Sequence, residues 1–127
     1  MDKMISVVIP CYNEEMVIPL LYAELVKVGT KLCGYTFEWL FVDDGSSDRT
    51  LEVVKAMAEK DRRIIYISFS RNFGKEAAMY AGLCNAKGDL VVIMDADMQD
   101  PPSLLPDMVK IIEKGEYDSI ATRRISR

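Results

Sequence analysis

With 127 residues, half of them apolar, the chain has enough material for one hydrophobic core and too little for two. Acidic residues outnumber basic ones by 20 to 16, for a net charge of -4, and no Lys/Arg-rich run occurs, which sets nucleic acid aside as a partner. Three widely spaced cysteines without a Cys-x-x-Cys, and no histidine, argue for a reducing compartment and against structural zinc or histidine-based acid–base chemistry.

The apolar runs are short, rich in β-branched residues and separated by segments of helical period, the pattern of a parallel sheet covered by helices. Ile5–Ile9 reads as the first strand, ended by Pro10. Val17, Ile18, Leu21, Leu25 and Val28 recur at spacings of three and four and predict a helix over 15–28, with Pro19 tolerable in its first turn. Phe37–Val42 is the second strand, and the turn Asp43-Asp44-Gly45-Ser46-Ser47-Asp48 leads into a helix over 49–60, capped by Ser46 or Asp48. Ile64–Phe69 predicts a third strand and Lys75–Ala86 a helix stopped by Gly88. Leu90–Met94 is wholly apolar, which predicts a strand at the centre of the sheet. After Pro101-Pro102 a helix runs to about residue 114, with Leu104, Leu105, Met108, Ile111 and Ile112 facing inward and Gly115 as its stop; Tyr117–Ala121 is the fifth strand. The alternation gives an α/β class: a Rossmann-like, open, mostly parallel sheet with flanking helices, in one domain over 1–127.

No apolar stretch approaches the roughly 20 residues that span a bilayer, and the opening Met1-Asp2-Lys3-Met4 is too short and too acidic for a signal peptide. By itself the sequence reads as soluble and cytoplasmic.

Ligands of open α/β sheets bind beyond the carboxyl ends of the strands. The unusual residues of this chain gather there: Cys11-Tyr12-Asn13-Glu14 after the first strand, Asp43-Asp44-Gly45-Ser46 after the second, Ser70-Arg71-Asn72-Phe73-Gly74 after the third and Asp95-Ala96-Asp97-Met98-Gln99-Asp100 after the fourth. In extended geometry Asp95 and Asp97 lean to one side, where a single hard cation, Mg²⁺ or Mn²⁺, can bridge them against a diphosphate, with Gln99 in the same register. Helix-capping by solvated carboxylates is the competing reading. One of Asp43 and Asp44 can accept hydrogen bonds from a nucleobase, although turn chemistry alone explains Asp, Gly and Ser there. Tyr12 either stacks on a base or plugs the sheet end, and Arg71 either meets a phosphate or pairs with a carboxylate. Cys11, without a histidine to activate it, reads as a buried structural thiol rather than a nucleophile.

Absent motifs narrow the class. The first strand is not followed by Gly-x-Gly-x-x-Gly, and Gly74-Lys75 lacks the upstream Gly and downstream Ser/Thr of a P-loop. An aspartyl phosphatase would carry its Asp-x-Asp on the first strand and continue with Gly-Thr, not Met98-Gln99.

The runs Val8-Ile9-Pro10-Cys11-Tyr12-Asn13-Glu14-Glu15, Val42-Asp43-Asp44-Gly45-Ser46-Ser47-Asp48-Arg49-Thr50, Ser70-Arg71-Asn72-Phe73-Gly74-Lys75 and Asp95-Ala96-Asp97-Met98-Gln99-Asp100-Pro101-Pro102 stand in the order found in inverting glycosyltransferases of family 2. The chain resembles that family, with its GT-A fold, and within it the polyprenyl-phosphate glycosyltransferases of the bactoprenol glucosyltransferase and dolichol-phosphate mannose synthase group. The resemblance implies that Pro10, Tyr12, Glu14, Asp43 and Asp44 line the nucleoside pocket, with Asp44 the partner of the base. It implies that Asp95, Asp97 and Gln99 hold Mg²⁺ or Mn²⁺ on the donor diphosphate, with Asp97 carrying catalysis, and that Arg71 and Asp95 belong to the nucleotide-sugar site. It implies that Arg123 lies near the acceptor phosphate. The implied reaction moves a hexose from a nucleotide-diphosphate sugar, UDP-glucose favoured, to a polyprenyl phosphate with inversion.

Such enzymes continue into an acceptor-binding and membrane-associated part that has no counterpart before Arg127. The expectation is therefore a donor-binding portion without full activity, from a protein working at the cytoplasmic face of a membrane. A catalytically silent nucleotide-binding or assembly module, pairing with a partner chain or as a homo-oligomer, is the alternative.

Overall fold

The computed structural model describes residues 3–97, 101–113 and 120–122. Its elements follow the predicted order: β1 (Lys3–Cys11), α1 (Ile18–Lys31), β2 (Tyr35–Asp43), α2 (Thr50–Lys60), β3 (Ile64–Ser68), α3 (Lys75–Asn85), β4 (Leu90–Met94), α4 (Leu105–Glu113), entered through a 3-10 turn at Pro102–Leu104, and β5 (Ile120–Thr122). All pairings are parallel, in the order β3-β2-β1-β4-β5. The strands step outward from β1 through β2 to β3, and then the chain returns to the other side of β1 to lay down β4 and β5. The switch point of the topology, where such sheets open a crevice, therefore lies between β1 and β4.

Strand alternation sends Ile5, Val7, Ile9 and Cys11 to one face together with Phe37, Trp39, Phe41, Val92 and Met94. Ile18, Leu21, Leu25 and Val28 of α1, Val54 of α2 and Leu105, Met108 and Val109 of α4 complete this main core. The other face is thinner. Val8, Leu40 and Val42 pack there against Ala78 of α3, the helix that covers β1 and β2, with Val91 and Ile93 only half-buried at its edge.

Several expectations are corrected. β1, not β4, is central, and the half-burial of Val91 and Ile93 shows that a run of apolar residues marks an interior strand without marking the middle one. Pro10 does not end β1 but lies inside it, opposite Val42. On the other side the ladder to β4 stops at Val8–Ile93, so the missing N–H of Pro10 faces a side with no acceptor to satisfy. Helix α3 ends at Asn85, and Gly88 is needed for another reason: a Cβ there would lie 2.6 Å from the nitrogen and Oγ of Ser6. Leu104 falls in the 3-10 turn and is 40% exposed rather than inward-facing. Gly115 and most of the predicted Tyr117–Ala121 strand fall outside the described residues.

Candidate functional site

The polar strand ends are wired to one another around the carboxyl rim of the sheet. Asn13, in the left-handed conformation (φ 54°) that Asn tolerates, points its Oδ1 into the β2–α2 loop and accepts from the N–H groups of Ser47 (2.8 Å) and Asp48 (3.3 Å). The Asn13 N–H donates to Ser46 Oγ at 2.9 Å, and the Glu14 N–H donates to Thr50 Oγ1 at 2.8 Å. Ser46 thus joins two loops instead of capping α2, and its hydroxyl donates to Asp43. Asp48 takes up the start of the helix, accepting from the Thr50 N–H at 2.9 Å.

The β3–α3 loop is held by Asp44. Its Oδ1 accepts from the Phe73 N–H (2.7 Å) and its Oδ2 from Asn72 Nδ2 (3.0 Å), while the Gly74 N–H reaches both oxygens at 3.3 and 3.1 Å. A carboxylate offers about four acceptor positions, and three donors of this loop take up most of them on Asp44. The approach depends on Gly45: its φ is +67°, and a Cβ would fall 2.2 Å from the Arg71 carbonyl carbon.

Between β1 and β4 this rim opens into a cavity of about 160 Å³ lined by Pro10, Cys11, Tyr12, Glu14, Asp44, Lys75, Ala78, Asp95, Ala96 and Asp97. Of the predicted site residues, it brings together Pro10, Tyr12, Glu14, Asp44, Asp95 and Asp97. Asp95 and Asp97 reach it from a turn rather than from extended backbone. Asp43 is buried and turned into its own loop, so it is not part of the lining. Arg71 is also outside the lining, with its guanidinium stacked 4.4 Å from the centre of the Phe73 ring. Gln99 and Arg123 lie outside the described residues.

Tyr12 is 47% exposed, which leaves its ring open at the mouth instead of sealing the sheet end. Cys11 is buried, its Sγ near the Val42 carbonyl oxygen, and burial followed by the neighbouring Asp43 charge pushes its thiol far up, which makes it inert as a nucleophile. Glu14 titrates above the usual carboxylate range because of its partial burial, then because of the Asp97 and Asp48 charges. The cavity wall thus carries several carboxylates, with Glu14 in the field of Asp97.

Lys75 is the residue that the linear sequence did not single out. As the first residue of α3 it sends its Nζ to within 2.6 Å of Asp95 Oδ1, and it is the cation among the described lining residues. A positive charge at a helix N-terminus opposes the helix dipole, and that mismatch was the available signal.

Among the described residues no group of three or more His, Cys, Asp or Glu is arranged to hold a metal by itself. The donor set still fits Mg²⁺ or Mn²⁺, which need one or two carboxylates and take the rest of their shell from water and phosphate. The ammonium of Lys75 on Asp95 shows that this carboxylate already draws a cation.

A parallel α/β sheet with flanking helices, ordered around a β1/β4 switch point, is the arrangement of the GT-A glycosyltransferase fold. The family model for glycosyl transferase family 2 matches residues 6–127, and the chain belongs to that family. It is 43% identical over 126 residues to an undecaprenyl-phosphate 4-deoxy-4-formamido-L-arabinose transferase of Photorhabdus laumondii, covering 98% of this chain and 38% of that protein. It is 40% identical over 123 residues to the bactoprenol glucosyl transferase of Shigella phage SfV, covering 97% of this chain and 39% of that one. Its fold matches a mannosyltransferase of Pyrobaculum calidifontis, determined in complex with GDP-Man and Mn²⁺, with a TM-score of 0.66 and 28% identity over 87% of this chain and 32% of that chain. The chain thus spans well under half the length of these relatives. Among the described residues no helix is long and apolar enough to cross a membrane.

Proposed function

We propose that this chain holds the donor of a metal-assisted glycosyl transfer in which a hexose moves from a nucleotide-diphosphate sugar, UDP-glucose favoured, to a polyprenyl phosphate at the cytoplasmic membrane face. The observation that carries the reading is the placement of Asp95 and Asp97 in one crevice with Tyr12 at its mouth and Lys75 on its wall. At about 160 Å³ the cavity is smaller than the roughly 300 Å³ at which ligand clefts usually begin. It suits the diphosphate end of a donor, with the base running past Tyr12 along the rim.

Asp95 and Asp97, with Gln99, would hold the cation, whose chemistry is to neutralise charge building on the departing diphosphate. Tyr12 offers a stacking face to the base. Asp44 fixes the floor of the base side by holding the β3–α3 loop, so a base that engages its carboxylate takes the place of one of the loop's hydrogen bonds. A lipid phosphate is already anionic, so its attack on the sugar needs little base assistance, and attack from the face opposite the diphosphate inverts the anomeric centre. Arg123 is the residue assigned to that acceptor phosphate.

The test is a thermal-shift panel of UDP and GDP with and without Mn²⁺. A stabilising nucleotide at about 100 times its dissociation constant adds about 2.7 kcal/mol. The expected result is a shift that needs both nucleotide and Mn²⁺ and vanishes in Asp97→Ala. Shifts that ignore the metal, or none with any nucleotide diphosphate, would overturn the proposal.

A further inference from the structure

The Lys75–Asp95 pair sits inside the crevice that the proposed function assigns to metal and diphosphate, and two of its features bear on what it does there. It is unequal: the Asp95 side chain is 17% exposed and that of Lys75 49%, so one partner is fixed in the wall while the other hangs from a flexible four-carbon stem. It is also set against the local electrostatics, because Lys75 opens α3, where a cation meets the positive end of the helix dipole. Glu76, the next residue, supplies the charge that the first turn prefers. Gly74 before it, with φ 105°, turns the chain so that the helix begins at the cavity wall, where Ala78 one turn later is part of the lining.

A cation approaching Asp95 must therefore displace an ammonium held at 2.6 Å, and the displaced ammonium stays within reach of whatever anion arrives with the metal. Resting on the donor-site reading above, we propose that Lys75 is a built-in counter-ion that reserves the Asp95 carboxylate. Divalent metal alone binds weakly, metal and nucleoside diphosphate bind together, and Lys75 passes from Asp95 to a diphosphate oxygen as they do. The exchange keeps the charge paired before and after loading, and it prevents the crevice from filling with a cation that brings no donor. Lys75 is thus a positioning and selectivity residue for the loaded state.

The experiment measures Mn²⁺ affinity by isothermal titration calorimetry, with and without saturating UDP, on wild type, Lys75→Gln and Lys75→Arg, with the unfolding midpoint of each as a control. For Lys75→Gln the expected result is Mn²⁺ binding alone about 10-fold tighter than in wild type, and coupling between Mn²⁺ and UDP reduced by about the same factor. By linkage, UDP affinity measured with and without Mn²⁺ must show the same loss of coupling. Lys75→Arg keeps the charge and is expected to keep metal alone weak. Wild type that couples Mn²⁺ to UDP, with a folded Lys75→Gln binding Mn²⁺ alone no tighter, overturns the Lys75 inference and leaves the donor site standing. Wild type and variants that bind neither Mn²⁺ nor UDP overturn the donor site and this inference with it.

Discussion

The two ends of the sheet each hold a carboxylate drawn in from solvent, and they treat it in opposite ways. At the amino end Glu38 is 8% exposed, and its Oε2 accepts from Ser6 Oγ at 2.6 Å and from the Lys87 N–H at 3.0 Å, while Ser6 Oγ accepts in turn from the Gly88 N–H at 2.8 Å. Neutral donors surround the charge. At the carboxyl end Glu14, Asp95 and Asp97 line one cavity, with Glu14 in the field of Asp97 and Asp95 paired with the Lys75 ammonium. Buried polar groups held by neutral donors fasten a fold, whereas like charges gathered on a cavity wall are placed to meet a ligand. The amino end ties the α3–β4 connection to β1 and β2; the carboxyl end gathers carboxylates on a cavity wall.

The sharpest way to break this contrast is at the rim. Gly45→Ala drives a Cβ to within 2.2 Å of backbone and imposes a positive φ on a residue with a side chain. Overpacking and left-handed strain together predict a loss of about 3–5 kcal/mol in urea unfolding, with nucleotide binding lost as well. At the other end, Glu38→Ala leaves the Ser6 hydroxyl and the Lys87 N–H without their acceptor. The expected cost is about 2–3 kcal/mol in the same measurement, because the lost bonds go to a charged group. The metal-dependent nucleotide shift should survive Glu38→Ala in protein that remains folded, and its loss there would show that the two ends are not separable.

The smallest effect is a pH dependence. Glu14 titrates higher in the folded protein than in the unfolded chain, so the folded state holds its proton longer. Stability contributed at this position is therefore largest at low pH and declines as pH rises from the unfolded value through the raised folded one. Glu14→Gln removes that decline. Its unfolding midpoint relative to wild type should rise between pH 4 and pH 7, and a difference independent of pH would show that neither burial nor the Asp97 charge raises Glu14 in the folded protein.

Much of this was legible in the residues. Hydrophobic period placed the strands and helices from β1 to α4 to within a few residues, because alternation and three-to-four spacing are local consequences of backbone geometry. The motif runs around Tyr12, Asp44 and Asp95–Asp97 pointed to the carboxyl rim and to the family. Their contiguity made them readable before any contact was known. Pro10 misled for the same reason: a proline breaks a strand only if its missing N–H has a partner to lose, and that depends on where the ladder to β4 stops.

By itself, then, the sequence determined the α/β alternation, the rim where the motif residues gather and the family, all carried by short stretches of chain. The tertiary structure decided that β1 is central, that Asp43 and Arg71 stand outside the cavity, that Asp44 holds the β3–α3 loop, and that Lys75 reaches Asp95 across twenty positions of sequence. Each of these depends on the register between distant strands and on how closely their loops approach. Those distances are set by packing, and no local pattern of residues encodes them.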